Sequence, residues 1–359
     1  MKRVHNYYAG PAALPLAALE YAQKEFLDFE NTGMSVMEIS HRSKEFDAVH
    51  TEAIALVKEL LGLPDNYHVL LLQGGASTQF AMLPMNLLGG DKSADYVNTG
   101  AWSKKAITEA KIVGKCRIAA SSEDDNFTLI PKQFDLDPNA QYVHITSNNT
   151  IKGTQFFEFP DTAGVPLVAD MSSDIMWRPF DVKPFGLIYA GAQKNLGPSG
   201  VTLVIIRDDV LQKCNPDLPS MFKYSTHVKS NSLYNTAPTF GIYMLRNVLK
   251  WVKDQGGLAA MEKQNRAKGE LLYGLIDGSG GFYTNPINPA DRSMMNPVFR
   301  LASEELEAKF IAEAKTAGFV GIKGHRSVGG CRVSMYNATS LESIADLVAF
   351  MKAFMAQNG

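Results

Sequence analysis

Apolar residues recur along this chain in two alternating rhythms. Over residues 15–31, Leu16, Leu19, Ala22, Phe26 and Phe29 fall at helical spacing, and Gly33 stands as a stop. The spacing predicts a second helix over 46–61, ended by Gly62 and Pro64. Apolar runs of strand length follow at 69–72, 95–97, 116–119, 142–146, 167–169, 186–190 and 202–206. The first turns through Gly74-Gly75-Ala76-Ser77-Thr78 into a helix reaching Leu88, and helices fall between several others. Buried strands alternating with helices predict an α/β body on a mostly parallel, seven-stranded sheet. A long helix over 238–255 runs to Gly256-Gly257, where the pattern changes. Helices over 258–277 and 303–317 flank short strands at 297–301 and 331–334, and a last helix covers 341–357. The division expected is a large domain over 16–256 and a smaller α+β C-terminal domain over 257–359.

A chain of 359 residues is long for one core and suits two domains. Apolar residues make up 45% and charged residues 20%, as in ordinary globular proteins. The net charge of -2, with no long run of one sign, argues against nucleic acid or an anionic membrane as main partner. Cys116, Cys214 and Cys331 are odd in number and far apart. They form neither a disulfide framework nor a CxxC metal site, so no metal is expected and a reducing cytoplasm is. The start, Met1-Lys2-Arg3, is basic, but the apolar stretch after Ala12 is broken by Pro15 and reaches Glu20. It lacks the apolar core and cleavage site of a signal peptide, and no segment approaches the roughly 20 apolar residues of a membrane span.

The candidate chemistry centres on Lys194, in the turn Gly191-Ala192-Gln193-Lys194-Asn195-Leu196-Gly197 between two core strands. Lost solvent disfavours the ammonium, and the resulting amine can form a Schiff base with a carbonyl cofactor. Upstream, the run Val165-Pro166-Leu167-Val168-Ala169 ends on Asp170. A buried lysine and an aspartate at neighbouring strand ends are what pyridoxal phosphate requires, one for its aldehyde and one for its pyridinium nitrogen. The turn Gly74-Gly75-Ala76-Ser77 ahead of a helix offers backbone N–H groups to a phosphate. It is neither GxGxxG nor a P-loop, so a nicotinamide oxidoreductase lacks its fingerprint here. Two basic pairs, His41-Arg42 and His325-Arg326, lie in loop-like stretches, the second among glycines.

The segment Tyr189-Ala190-Gly191-Ala192-Gln193-Lys194-Asn195 with Gly197-Pro198-Ser199-Gly200 resembles the lysine segment of the phosphoserine aminotransferase family. So do Ala9-Gly10-Pro11-Ala12-Ala13-Leu14-Pro15, Ser35-Val36-Met37-Glu38-Ile39-Ser40-His41-Arg42 and Lys323-Gly324-His325-Arg326-Ser327-Val328-Gly329-Gly330-Cys331-Arg332. The resemblance spans nearly the whole chain. It implies the aspartate aminotransferase-like architecture of fold type I, with residues 1–15 joining the small domain. It implies pyridoxal phosphate as cofactor, with Lys194, Asp170 and Trp102 catalytic and Trp102 stacked on the ring. Thr150 is expected at the ring oxygen, and Gln193, Ala76 and Ser77 at the phosphate. Asn235 and Thr236 would reach that phosphate from a second subunit of a homodimer. His41, Arg42, His325 and Arg326 would hold the distal anion of the substrates, L-glutamate and 3-phosphohydroxypyruvate, and Arg332 the α-carboxylate. Many bacterial relatives carry arginine where this chain has Ser77, which bears on phosphate affinity and not on the reaction type. A desulfurase or lyase on the same fold, or a non-catalytic metabolite-binding protein, are the competing readings. The former needs an activated cysteine and the latter has no use for Lys194, Asp170 and Arg332 together.

Overall fold

Seven apolar runs pair into one twisted sheet in this computed structural model, which describes residues 3–359; Met1 and Lys2 of the basic start lie outside the described residues. In chain order the first elements are β1 (His5–Asn6), α1 (Leu16–Glu25), α2 (Lys44–Leu61), β2 (Tyr67–Leu72), α3 (Gly75–Leu87), β3 (Ser93–Asn98) and α4 (Ala101–Val113). Then come β4 (Lys115–Ser121), β5 (Val143–Thr146), β6 (Leu167–Asp170), β7 (Phe185–Gly191) and β8 (Thr202–Arg207). The sheet order is β2-β8-β7-β6-β5-β3-β4. Only β8 runs against its neighbours, β2 and β7.

The apolar runs are continuous because the sheet is covered on both faces. Leu71, Ala169, Ile188, Leu203 and Ile205 pack on one face with Val49, Ala53 and Leu56 of α2 and, from a later helix over 239–254, with Ile242, Leu245 and Leu249. Their strand neighbours Leu70, Leu72, Val168, Tyr189 and Val204 pack on the other with Phe80 and Leu83 of α3 and Ile107 of α4. Each such fully buried Leu, Ile or Val stabilises the fold by about 1.5–3 kcal/mol relative to exposure.

The remaining elements are α5 (Asp208–Leu211), α6 (Tyr224–Lys229), α7 (Thr239–Asp254), α8 (Gly257–Asp277), β9 (Val298–Phe299), α9 (Glu304–Thr316), β10 (Phe319–Val320), β11 (Cys331–Arg332) and α10 (Leu341–Asn358). Of these, α8, α9, α10 and β9 to β11 build a separate apolar core from Leu272, Phe299, Phe310, Phe319, Leu347, Met351 and Phe354. Tyr7 belongs to this core, and β1 pairs in parallel with β10. Among the described residues no helix is long and apolar enough to cross a membrane.

Two expectations differ from the structure. The helix expected over 15–31 ends at Glu25, and Phe29 reaches the core from a short turn in which Glu30 has φ 50°. There Asp28 takes the Gly33 N–H at 2.8 Å and Met34 takes the Phe29 N–H at 2.8 Å, so side-chain and loop acceptors replace the helical carbonyls. The strands expected over 297–301 and 331–334 shrink to the two-residue β9 and β11, because only Phe299–Cys331 and Val298–Arg332 pair.

Phe310 is fully buried with ring centroids of Phe299, Phe350 and Phe354 at 5.6, 5.5 and 5.1 Å. Phe310→Ala is expected to cost about 3–5 kcal/mol, read as a lower urea midpoint. An unchanged midpoint contradicts this packing.

Candidate active site

The candidate residues gather where the parallel strands end, the usual ligand position in an open α/β sheet. Asp170 closes β6, and its Oδ1 accepts the Ser172 N–H at 2.9 Å. The turn after β7 carries Lys194, whose Nζ lies 5.5 Å from the centre of the Trp102 ring. Trp102 is in the first turn of α4, entered through Gly100 at φ 142°, where a Cβ would lie 2.2 Å from Asn149 Nδ2. The indole Nε1 donates to Thr150 Oγ1 at 2.9 Å, and Arg332 donates to the Thr150 carbonyl at 2.8 Å. Thus Lys194, Trp102, Thr150 and Arg332 form one group beside Asp170.

The phosphate-binding candidate is the start of α3. Gly74 turns at φ 92°, Gly75 donates to Thr202 Oγ1 at 2.7 Å, and the Ala76 and Ser77 N–H groups find no acceptor among the described residues. Such a helix start attracts an anion. Gln193 folds back over Gly191, where a Cβ would sit 2.6 Å from its Oε1. Asn235 donates to Gln73 at 3.0 Å, two residues before Gly75, and its own Oδ1 is buried without a partner. Thr236 is exposed nearby in the chain.

Burial lowers the Lys194 pKa, while the charges of Asp170 and then Asp174 oppose the fall. Burial likewise raises Asp170, with Lys194 and Ser172 opposing. Asp174 is pushed up to about 6 by burial, although Ser147 and Gln155 donate to it. The lysine and its aspartate are each moved toward neutrality by desolvation and held back by their mutual attraction.

A lysine, a carboxylate and an indole ring at the ends of a parallel sheet have counterparts among known proteins. The profile of aminotransferase class-V matches residues 4–347. The chain belongs to the class-V aminotransferase family. Phosphoserine aminotransferase of Desulfosudis oleivorans is 60% identical, covering 100% of this chain and 99% of that protein. The protein of that name from Bacillus subtilis is 56% identical over 100% of both. The solved structure of phosphoserine aminotransferase from Bacillus circulans subsp. alkalophilus superposes with a TM-score of 0.98 at 56% identity, covering 100% of both chains. The pyridoxal phosphate-bound enzyme from Trichomonas vaginalis superposes with a TM-score of 0.92 at 39% identity, covering 98% of this chain and 100% of that one.

In this class-V aminotransferase the basic pairs are placed unequally. His325 lies in the loop before Arg332, with Ser327 Oγ 2.7 Å from its Nδ1. Desolvation, then the charges of Arg332, Arg326 and Lys105, lower its pKa. His41 and Arg42 precede α2, and no hydrogen bond or ion pair among the described residues joins them to Lys194, Asp170 or Arg332. The His41 Nε2 is buried without a partner. Sequence reasoning gave no role to Lys105, whose Nζ lies 4.7 Å from the Trp102 ring, nor to Asp174. The signal for Lys105 was its place one helical turn after Trp102, and for Asp174 its place four residues after Asp170.

In the cofactor-free protein, acylation of Lys194 followed against pH by peptide mass spectrometry is expected to show a midpoint below that of exposed lysines, since burial penalises the ammonium. Asp170→Ala removes the opposing charge and should lower the midpoint further. An ordinary lysine midpoint contradicts the desolvated site.

Proposed function

We propose that this chain transfers the amino group of L-glutamate to 3-phosphohydroxypyruvate, giving O-phospho-L-serine and 2-oxoglutarate with pyridoxal phosphate as cofactor, a step of serine biosynthesis. The reading is carried by the placing of Lys194 against Asp170 beneath the Trp102 ring. The residues fit the cofactor on their own chemistry: an amine whose charged form burial disfavours, a buried carboxylate, an indole ring beside the amine, and helix-start N–H groups without acceptors among the described residues. When bound, pyridoxal phosphate supplies an aldehyde for Schiff-base chemistry and a ring that accepts the electron pair left at the substrate Cα.

This chain's own residues do the rest. Asp170 holds a proton at the ring nitrogen. Trp102 and Thr150 fix the ring plane, and Gln193, Ala76 and Ser77 hold the phosphate. The Lys194 amine would take the proton from the substrate Cα as base and, as acid, deliver it two atoms away, to the carbon on the far side of the amino nitrogen. Arg332 orients the α-carboxylate by its planar fork. His325 and Arg326 meet the distal anion, and both substrates carry one, so a single basic cluster serves both half-reactions.

His41, Arg42, Asn235 and Thr236 enter this scheme from a second copy of the chain. Exposed Met37, four residues before His41, and exposed Tyr234, next to Asn235, support a homodimer with the sites at its interface. The large body over 16–256 supplies the cofactor site, and 257–359 with 1–15 forms the small domain. A cytoplasmic enzyme is the reading that fits three unpaired cysteines. Amination of a phosphorylated hydroxythreonine precursor in vitamin B6 synthesis is a further reaction of the same kind. A desulfurase is disfavoured, since burial pushes the Cys116 thiol up to about 11 and Cys214 to about 12, away from the reactive thiolate.

Adding O-phospho-L-serine to the yellow loaded protein is expected to replace its visible band by the pyridoxamine spectrum with release of phosphohydroxypyruvate. A band indifferent to phosphoserine contradicts the substrate. Lys194→Ala is expected to abolish turnover, and Arg332→Gln to raise KM for both substrates by about tenfold or more through loss of a charge-assisted bond. Near-normal turnover in Lys194→Ala contradicts the mechanism.

A further inference from the structure

The turn that presents Lys194 has few bonds of its own. The Lys194 peptide groups make no hydrogen bond among the described residues, and the turn is tied beyond it by Leu196 and Gly197 to Ala192 at 3.2 and 2.8 Å. On one side Ala12 donates to the Gln193 carbonyl at 2.9 Å. On the other, the neighbouring Asn195 makes two bonds through its side chain. Its Nδ2 donates to the Ile175 carbonyl at 2.6 Å, and its Oδ1 accepts the Asn337 N–H at 3.0 Å. Asn195 is 5% exposed, so both bonds are screened from water.

These two bonds reach the segments that carry the other charged groups. Ile175 follows Asp174 and stands five residues after Asp170. Asn337 stands five residues after Arg332. Asn337 is itself fixed, its Nδ2 donating to Met176 at 2.8 Å and its Oδ1 accepting from Asn265 at 2.8 Å. Lys268 holds the same stretch through the carbonyls of Met335, Tyr336 and Thr339 at 2.9, 2.8 and 2.9 Å. The Asn195 amide therefore spans a rigid acceptor near the aspartates and a rigid donor near the arginine.

We propose that Asn195 is a positioning residue for transamination: its amide sets the distance and direction of the Lys194 amine relative to Asp170 and Asp174. This rests on the functional reading above and adds to it a residue that touches neither substrate nor cofactor. Without the amide, the turn loses the hydrogen bonds that the Asn195 side chain makes to Ile175 and Asn337, and those two buried backbone groups are left unpaired.

The test compares Asn195→Ala, Asn195→Asp and Phe310→Leu in the pyridoxal phosphate-loaded protein. Phe310→Leu shrinks a fully buried ring in the second apolar core, touches none of these bonds, and so reports the merely structural cost. Asn195→Ala is expected to lower kcat roughly tenfold to a hundredfold through misplacement of the amine, with KM for glutamate little changed. Asn195→Asp keeps the acceptor for Asn337, loses the donor to Ile175 and adds an acid beside the lysine. It should raise the pH midpoint of the visible band. Phe310→Leu should lower the melting temperature while leaving kcat and midpoint in place. Equal kcat and midpoint in Asn195→Ala and Phe310→Leu overturn the proposal. If Asn195→Ala does not fold, an unmoved midpoint in Asn195→Asp overturns it. A wild-type protein that takes up no pyridoxal phosphate sinks the functional reading instead. In that event the acylation rate of Lys194 in the cofactor-free proteins decides, and equal rates in wild type and Asn195→Asp count against Asn195.

Discussion

A lysine and an aspartate held out of water at neighbouring strand ends are the constraint on which this structure turns. Neither charge is comfortable there. Burial moves both toward their neutral forms, and each restrains the other. Such a pair persists only if the backbone denies it an escape to solvent. The parallel ladder of β6 and β7 does so, pairing Asp170 with Tyr189 two residues short of the turn into Lys194. An amine poised in this way costs folding energy and is useful for catalysis, which is the trade expected at a functional site.

The surroundings follow from that pair. The central strands are covered on both faces, and the loops after β2, β3, β5, β6 and β7 bring the candidate residues to one rim of the sheet. The second apolar core brings Arg332 to the same rim, where it bonds the Thr150 carbonyl. Between the two cores runs a buried polar seam. Asn148 donates to Ser173 and Asn296 at 2.8 Å each, and Asn296 donates to Ser334 at 2.9 Å. Paired amides of this sort fix relative position more sharply than apolar packing, because a displaced partner leaves a buried group unsatisfied.

Much of this was legible in the order of residues. Runs such as Thr202–Arg207 are apolar on both faces and announce a covered strand, and Lys194 between two of them already implied desolvation. Asp170 at the end of such a run was readable for the same reason. Other features were not. The reversed direction of β8 depends on pairing with β2, more than a hundred residues away. Glu30 breaks a well-spaced apolar pattern because Asp28 outcompetes the helix for an N–H group. The tie between Asn195 and Asn337 joins two ordinary-looking asparagines 142 residues apart. Periodicity reports which face is buried and is silent on which polar atoms meet inside.

The central claim is that Lys194, among the lysines of this chain, is the one that meets the cofactor aldehyde. Reduction of the pyridoxal phosphate-loaded protein with borohydride, followed by peptide mapping, tests it most directly. The account predicts the pyridoxyl mass on Lys194 alone. The same mass on Lys105 or Lys268 in place of Lys194, or on no lysine, would contradict it.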